Sequence, residues 1–240
     1  MLVTATTTSH DFAASVPLPR AVLWDMDGTL IDSEPFWMDA ETILVHEHGG
    51  VWTHEDALQL VGNGLETSAE ILQSRGVRLS PAEIIETLVD SVIDRLRHEI
   101  PWRPGARELL GAVRDAGIPT ALVTMSTMRL ASVVVEGMGF TAFDELVTYE
   151  QVTKPKPHPE PYLEGLRRLG VDAEHAVALE DSVPGVASAV ASGVTTIAVP
   201  FHVPLPPSPA YTSWTGLEGR TVADLAGALA TSRASAGLTS

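Results

Sequence analysis

The chain of 240 residues carries 31 acidic against 15 basic side chains, a formal net charge of −16, so no basic surplus is available to neutralise a nucleic-acid backbone. It contains no cysteine, which excludes disulfides, thiolate catalysis and cysteine-ligated zinc. With 45% hydrophobic residues and a mean hydropathy of +0.14 it can bury a sizeable core, as one large domain or as one domain with a smaller insertion.

Residues 1–19 have neither a basic n-region nor a long apolar core, and are expected to be a disordered leader rather than a signal peptide. No run of about 18 apolar residues follows, so no membrane span is expected, with the cytoplasm as default location and a monomer as default state. The first apolar run, 21–24, reads as a buried strand and ends in WDMDGTL. From 34 to 100 the periodicity is helical only, in EPFWMDAETILVHEH, HEDALQLV, LETSAEILQSRG and PAEIIETLVDSVIDRLRHEI. This predicts a helical insertion, the cap, with hinge-like edges DSEP and IPWRPG. Four more apolar runs, at 119–123, 145–147, 176–179 and 195–199, alternate with helical stretches, and their near-continuous apolar character is that of buried parallel strands. The expected fold class is therefore α/β, a doubly wound parallel-sheet, Rossmann-like core of residues 20–33 and 101–231. PFHVPLPPSPA reads as an extended surface segment and residues 232–240 as a loose tail.

In an open α/β sheet ligands bind at the carboxyl ends of the strands. Here those ends carry Asp25 and Asp27, then Thr124 and Ser126, then Lys154 and Lys156, then Glu180 and Asp181. Period-2 alternation puts Asp25 and Asp27 on the same side of the chain. Two such close carboxylates are poor strand material but good chemistry: one can attack phosphorus, while the other protonates a leaving alcohol and then takes a proton from water.

In order, DMDGTL, VTMS, KPHPEPY and LEDSVPGVASA resemble the four motifs of the haloacid dehalogenase-like hydrolases, over roughly residues 20 to 200. The insertion is similar to the small helical cap of the phosphoglycolate phosphatase and β-phosphoglucomutase branch. The resemblance implies Asp25 as nucleophile and Asp27 as acid and base, with Thr124 and the N–H of Met125 holding phosphoryl oxygens. It implies a Mg²⁺ cofactor on Asp25, the Asp27 carbonyl, Asp181 and, directly or through water, Glu180. Lys156 matches the family lysine better than Lys154. The implied partner is a small phosphorylated metabolite. A phosphomutase is the alternative, but Leu65 stands where mutases usually carry an Arg three residues after the cap glycine. Asp27 argues against dehalogenation, whose halide leaving group needs no proton.

Other residues have plainer readings. His46 and His48 point to different helix faces, and His158 lies in a variable loop. Phe36, Trp37 and Met38 either pack the cap helices or line a pocket. VGNG is either an ordinary turn or a loop dipping toward the substrate. Glu83, Glu86, Asp90 and Asp94 form a solvated helix face.

Overall fold

The computed structural model describes residues 16–235 and residue 237. Of the expected leader, residues 1–15 lie outside the described residues, and 16–19 are irregular.

The strand β1 (Ala21–Trp24) is buried throughout. Its side chains alternate, Val22 and Trp24 joining the core on one face of the sheet, Ala21 and Leu23 the core on the other. β2 (Thr120–Val123), β4 (Ala176–Glu180) and β5 (Thr195–Ala198) are also fully buried, as strands covered on both faces must be. With β3 (Glu145–Val147) and β6 (Thr212–Ser213) they form one parallel sheet in the order β3-β2-β1-β4-β5-β6. The expected doubly wound α/β architecture is the one observed. The chain fills one side of β1 and then returns to the other with β4, so the switch point lies between those two strands.

One face is covered by α5 (Ala106–Asp115), α6 (Met128–Gly137) and α9 (Val222–Ser235), and the other by α7 (Glu160–Leu169) and α8 (Val183–Ala191). The insertion holds α1 (Glu34–Glu47), α2 (His54–Leu58), α3 (Leu65–Ser74) and α4 (Pro81–His98), which pack around Leu44, Trp52, Leu72, Ile84 and Leu88. Reciprocal capping by Thr53 and Asp56 starts α2, and by Ser80 and Glu83 starts α4. α4 faces two ways, because Val89, Val92, Ile93 and Leu96 join the core of the sheet. The two edges of the insertion run side by side: Asp32 N donates to Pro101 O (2.8 Å) and Arg103 N to Leu30 O (2.9 Å).

β6 and α9 went unread in the sequence, and the expected tail of residues 232–240 is corrected in its first part: residues 232–235 complete α9, while 236 and 238–240 lie outside the described residues. Thr221 caps this helix, its N–H donating to Asp224 Oδ2 (2.8 Å), and Leu225 and Leu229 bury against the sheet. The Ala and Gly residues between them carry too little hydrophobic contrast to give a clear period. Among the described residues, no helix is long and apolar enough to cross a membrane.

Candidate active site

The site lies at the switch point. Asp25 N donates to Leu179 O (3.1 Å), continuing the β1–β4 pairing and fixing Asp25 at the strand end. The chain then turns tightly, with the N–H groups of Thr29, Leu30 and Ile31 all directed to Met26 O. Gly28 sits at φ +86°, and a Cβ there would overlap the Asp181 carboxylate, so the turn requires glycine twice over.

Lys156 is the hub. Its buried ammonium donates to Asp25 Oδ1 (2.7 Å), Glu180 Oε1 (2.6 Å) and Val123 O (2.9 Å). Lys154 is exposed. Glu180 Oε1 also accepts from the phenol of buried Tyr162 (2.9 Å), while Oε2 accepts from the N–H groups of Asp181 (3.0 Å) and Ser182 (3.2 Å). The carboxylate nests against Gly185 at the start of α8, where any Cβ would collide with it. Both Glu180 oxygens are thus engaged with the chain, and holding a cation would be an added duty.

Asp27 is held differently. Its carboxylate accepts from Ser33 Oγ (2.5 Å), Ser126 Oγ (2.7 Å) and, more weakly, Thr124 Oγ1 (3.4 Å). Thr124 Oγ1 itself accepts from Ser126 N (3.0 Å). Met125 is half-buried and lines the pocket. Asp181, buried, accepts from Thr29 Oγ1 (3.1 Å).

Negative charge is in excess here. Burial, then Glu180, then Asp27 raise the Asp25 carboxyl to about 7 despite the opposing pull of Lys156. Burial, Asp25 and Glu180 likewise hold Asp181 well above the usual carboxylate range. Burial works against the charge on Lys156, but Asp25 and Glu180 outweigh it and push its pKa up. The lysine is therefore a fixed cation, but one positive charge does not balance three carboxylates. One carboxylate oxygen each of Asp25, Glu180 and Asp181 lie within 4.8 Å of one another. A set of hard oxygen donors with no His or Cys and surplus negative charge fits Mg²⁺ rather than zinc.

Between this site and the helical insertion lies a cavity of about 90 Å³. The insertion contributes Glu34, Trp37 and Glu41 from α1, Gly62 and Asn63 from VGNG, and Leu65. That decides the open readings: Trp37 lines the pocket, Phe36 packs on the core of the sheet, Met38 packs among the cap helices, and the VGNG loop reaches the site. His46 and His158 are exposed, and a His48 ring nitrogen lies 2.9 Å from Leu44 O. Asp90 pairs with Arg129 of α6 (2.7 Å) rather than facing solvent alone.

Sequence reading missed the roles of Ser33, Tyr162 and Arg103. Ser33 lay in DSEP, read only as a hinge, and Tyr162 was quoted within its motif but given no task. Buried Arg103 donates to the carbonyls of Gly28 and Val199 and lies 4.0 Å from the Phe201 ring centroid, bracing the turn after β1. The spacing of Glu34, Trp37 and Glu41, at i, i+3 and i+7, was a usable signal for one shared helix face.

Comparison with known proteins points one way. The sequence model described as haloacid dehalogenase-like hydrolase matches residues 22–199. The chain is 31% identical over 184 residues to hexitol phosphatase B of Escherichia coli, covering 75% of this chain and 83% of that protein. It is 30% identical over 187 residues to the N-acetylmuramic acid 6-phosphate phosphatase of Pseudomonas aeruginosa, covering 76% and 82% respectively. The crystal structure of CbbY from Rhodobacter sphaeroides in complex with xylulose-1,5-bisphosphate superposes with a TM-score of 0.77 at 26% identity, covering 84% of this chain and 96% of that one.

Proposed function

The chain belongs to the haloacid dehalogenase-like hydrolases, and from that premise we propose that it is a Mg²⁺-dependent phosphatase hydrolysing a small phosphorylated sugar through an aspartyl phosphate on Asp25. The observation that carries this reading is the buried cluster of Asp25, Glu180 and Asp181 around a single lysine, with Asp27 held beside it on a separate set of hydroxyls.

In the first half-reaction a carboxylate oxygen of Asp25 attacks phosphorus. The bond from phosphorus to the ester oxygen breaks, and Asp27 delivers a proton to that oxygen, so that a neutral alcohol leaves. In the second, Asp27 takes a proton from a water molecule as it attacks the same phosphorus. The bond to Asp25 then breaks, releasing inorganic phosphate. Ser33 and Ser126 hold Asp27 in one orientation for both transfers, and the Thr124 hydroxyl, only weakly engaged with Asp27, is free to turn to a phosphoryl oxygen. Lys156 holds Asp25 and offsets charge on the transferring group, with Thr124 and the N–H of Met125 as further donors to phosphoryl oxygens. Asp25, the main-chain carbonyl of Asp27, Asp181 and Glu180 would hold Mg²⁺, which when bound supplies the missing positive charge at phosphate. Residues 34–100 act as a cap that covers the substrate and excludes bulk water.

A phosphomutase must grip a second phosphate. Leu65, three residues after Gly62, lines the pocket and offers no grip, which favours hydrolysis over transfer back to a sugar. The test is phosphate release from a panel of sugar and polyol phosphates with Mg²⁺, beside an EDTA control. Release lost in EDTA is the expected result. No release from any ester, aryl phosphates included, would overturn the phosphatase reading.

A further inference from the structure

Two pocket carboxylates take no part in the chemistry above. Glu34 and Glu41 lie two turns apart on α1, roughly 10 Å along its axis, with Trp37 between them on the pocket side. Glu34 is the nearer to the reacting centre, since it follows Ser33, whose hydroxyl is bonded to Asp27, and burial followed by the charges of Asp27, Asp32 and Asp25 raises its carboxyl to about 8. Glu41 lies two turns further along α1 from that end and also lines the pocket, and there burial is followed by Glu34 alone in raising its carboxyl.

Glu41 is 5% exposed, and its Oε2 is buried with no hydrogen-bond partner. The Trp52 indole N–H is near enough to favour the charged form, yet its nitrogen is also without a partner. A buried carboxyl oxygen with no donor destabilises the fold. The packing of α1 does not need it, because Ala40, Leu44 and Val45 already bury against the cap helices. Trp52 can satisfy one side of this carboxyl, and a donor arriving with the ligand would complete it on the pocket side. Ser68 and Asn63 add a hydroxyl and an amide to the lining, and the one cation among the lining residues, Lys156, is committed to Asp25 and Glu180.

We propose that Glu41 is a specificity-determining residue that, with Glu34, forms an acceptor wall for the hydroxyl groups of an uncharged polyol or sugar chain, and that the same wall rejects leaving groups carrying a second phosphate or a carboxylate. Hydroxyls donate to buried carboxyl oxygens and can accept from a protonated one, whereas a second phosphate or carboxylate would be buried with no free cation to pair it. Because Glu41 lies two turns of α1 beyond Glu34, an extended chain would reach it where a short one would not. This inference rests on the phosphatase reading.

The experiment measures kcat and KM with Mg²⁺ for wild type, Glu41→Gln and Glu41→Leu on three esters: a hexitol monophosphate, a sugar bisphosphate and p-nitrophenyl phosphate, which has no hydroxyls to bind. Wild type is expected to favour the hexitol ester over the bisphosphate by about tenfold or more in kcat/KM. In Glu41→Leu the KM for the hexitol ester rises about tenfold, and the preference for it over the aryl ester falls by a similar factor. Glu41→Gln, which keeps a hydrogen-bonding amide, loses less of that preference. Equal loss on the hexitol and aryl esters, an unchanged KM for the hexitol ester, or a wild-type preference for the bisphosphate would overturn the proposal and leave the phosphatase reading intact. No turnover of any ester by wild type would remove both.

Discussion

Lys156 holds together two carboxylates that would otherwise repel, and it does so at 5% side-chain exposure. Lys156→Met leaves Asp25 and Glu180 buried without their cation, and removal of one partner from a buried pair costs about 3–5 kcal/mol. Chemical denaturation should show a loss of that size, and added Mg²⁺ should restore part of it. Asp27→Asn removes the group that moves protons, so kcat should fall about a hundred- to ten-thousand-fold while the melting temperature changes little. Glu41 makes a separate prediction about pH. Its carboxyl is raised from 4.5 to about 8 by burial first and Glu34 second. Below about pH 4.5 both folded and unfolded states bind the proton and nothing is lost. As pH rises from there toward 8 the unfolded state gives up its proton first, so stability falls, on the order of a few kcal/mol in total. Glu41→Gln should remove this dependence, and melting curves from pH 5 to 9 should show the variant gaining on wild type as pH rises. An unchanged pH slope would contradict the raised value. At this scale the motifs DMDGTL, KPHPEPY and LEDSVPG, read through a family resemblance, led to Asp25, Asp27, Lys156 and Asp181, which the fold gathers at one end of the sheet. Ser33, Tyr162, Arg103 and Glu41 could not be reached that way, because each acquires its task from a neighbour that only the fold brings beside it, as Tyr162 does from Glu180 and Arg103 from Gly28 and Val199.

Among the elements, the start of α8 is the most constrained. Glu180 ends β4, turns back under the helix, and receives N–H groups from Asp181 and Ser182. Gly185 is what permits it. Gly185→Ala would force the Glu180 carboxylate aside, at about 1–3 kcal/mol for an overpacked site, and would carry Lys156 with it. Reduced stability together with a fall in kcat is expected, and a variant with wild-type kcat would show that the clamp does not position Lys156. The strands and most helices were readable because buried parallel strands are apolar runs and capped helices announce their ends. α9 was not, for its core-facing residues are Leu and Ala among Ala and Gly, with little contrast around the helix. β6, only Thr212–Ser213, is too short to have a pattern.

For the whole molecule, an acidic chain acting on an anionic substrate is a conflict that the architecture answers locally. The net charge of −16 repels phosphate esters in general, while the switch point between β1 and β4 offers them one lysine, main-chain donors and a set of oxygens suited to a divalent cation. The helical insertion then closes the far side with carboxyl groups instead of basic ones. The split between an α/β core and a helical insertion was visible in the change of period at residue 34. How the insertion sits over the site was not, because it depends on α4 burying one side in each layer. Covalent chemistry on Asp25 is tested most directly by acid-quenching the enzyme during turnover of a phosphate ester with Mg²⁺ and mapping phosphoryl groups by mass spectrometry. A phosphoryl group on the peptide containing Asp25, absent in Asp25→Asn together with turnover, is the predicted result. Sustained phosphate release by Asp25→Asn, or turnover with no phosphoryl group ever trapped on that peptide, would contradict it.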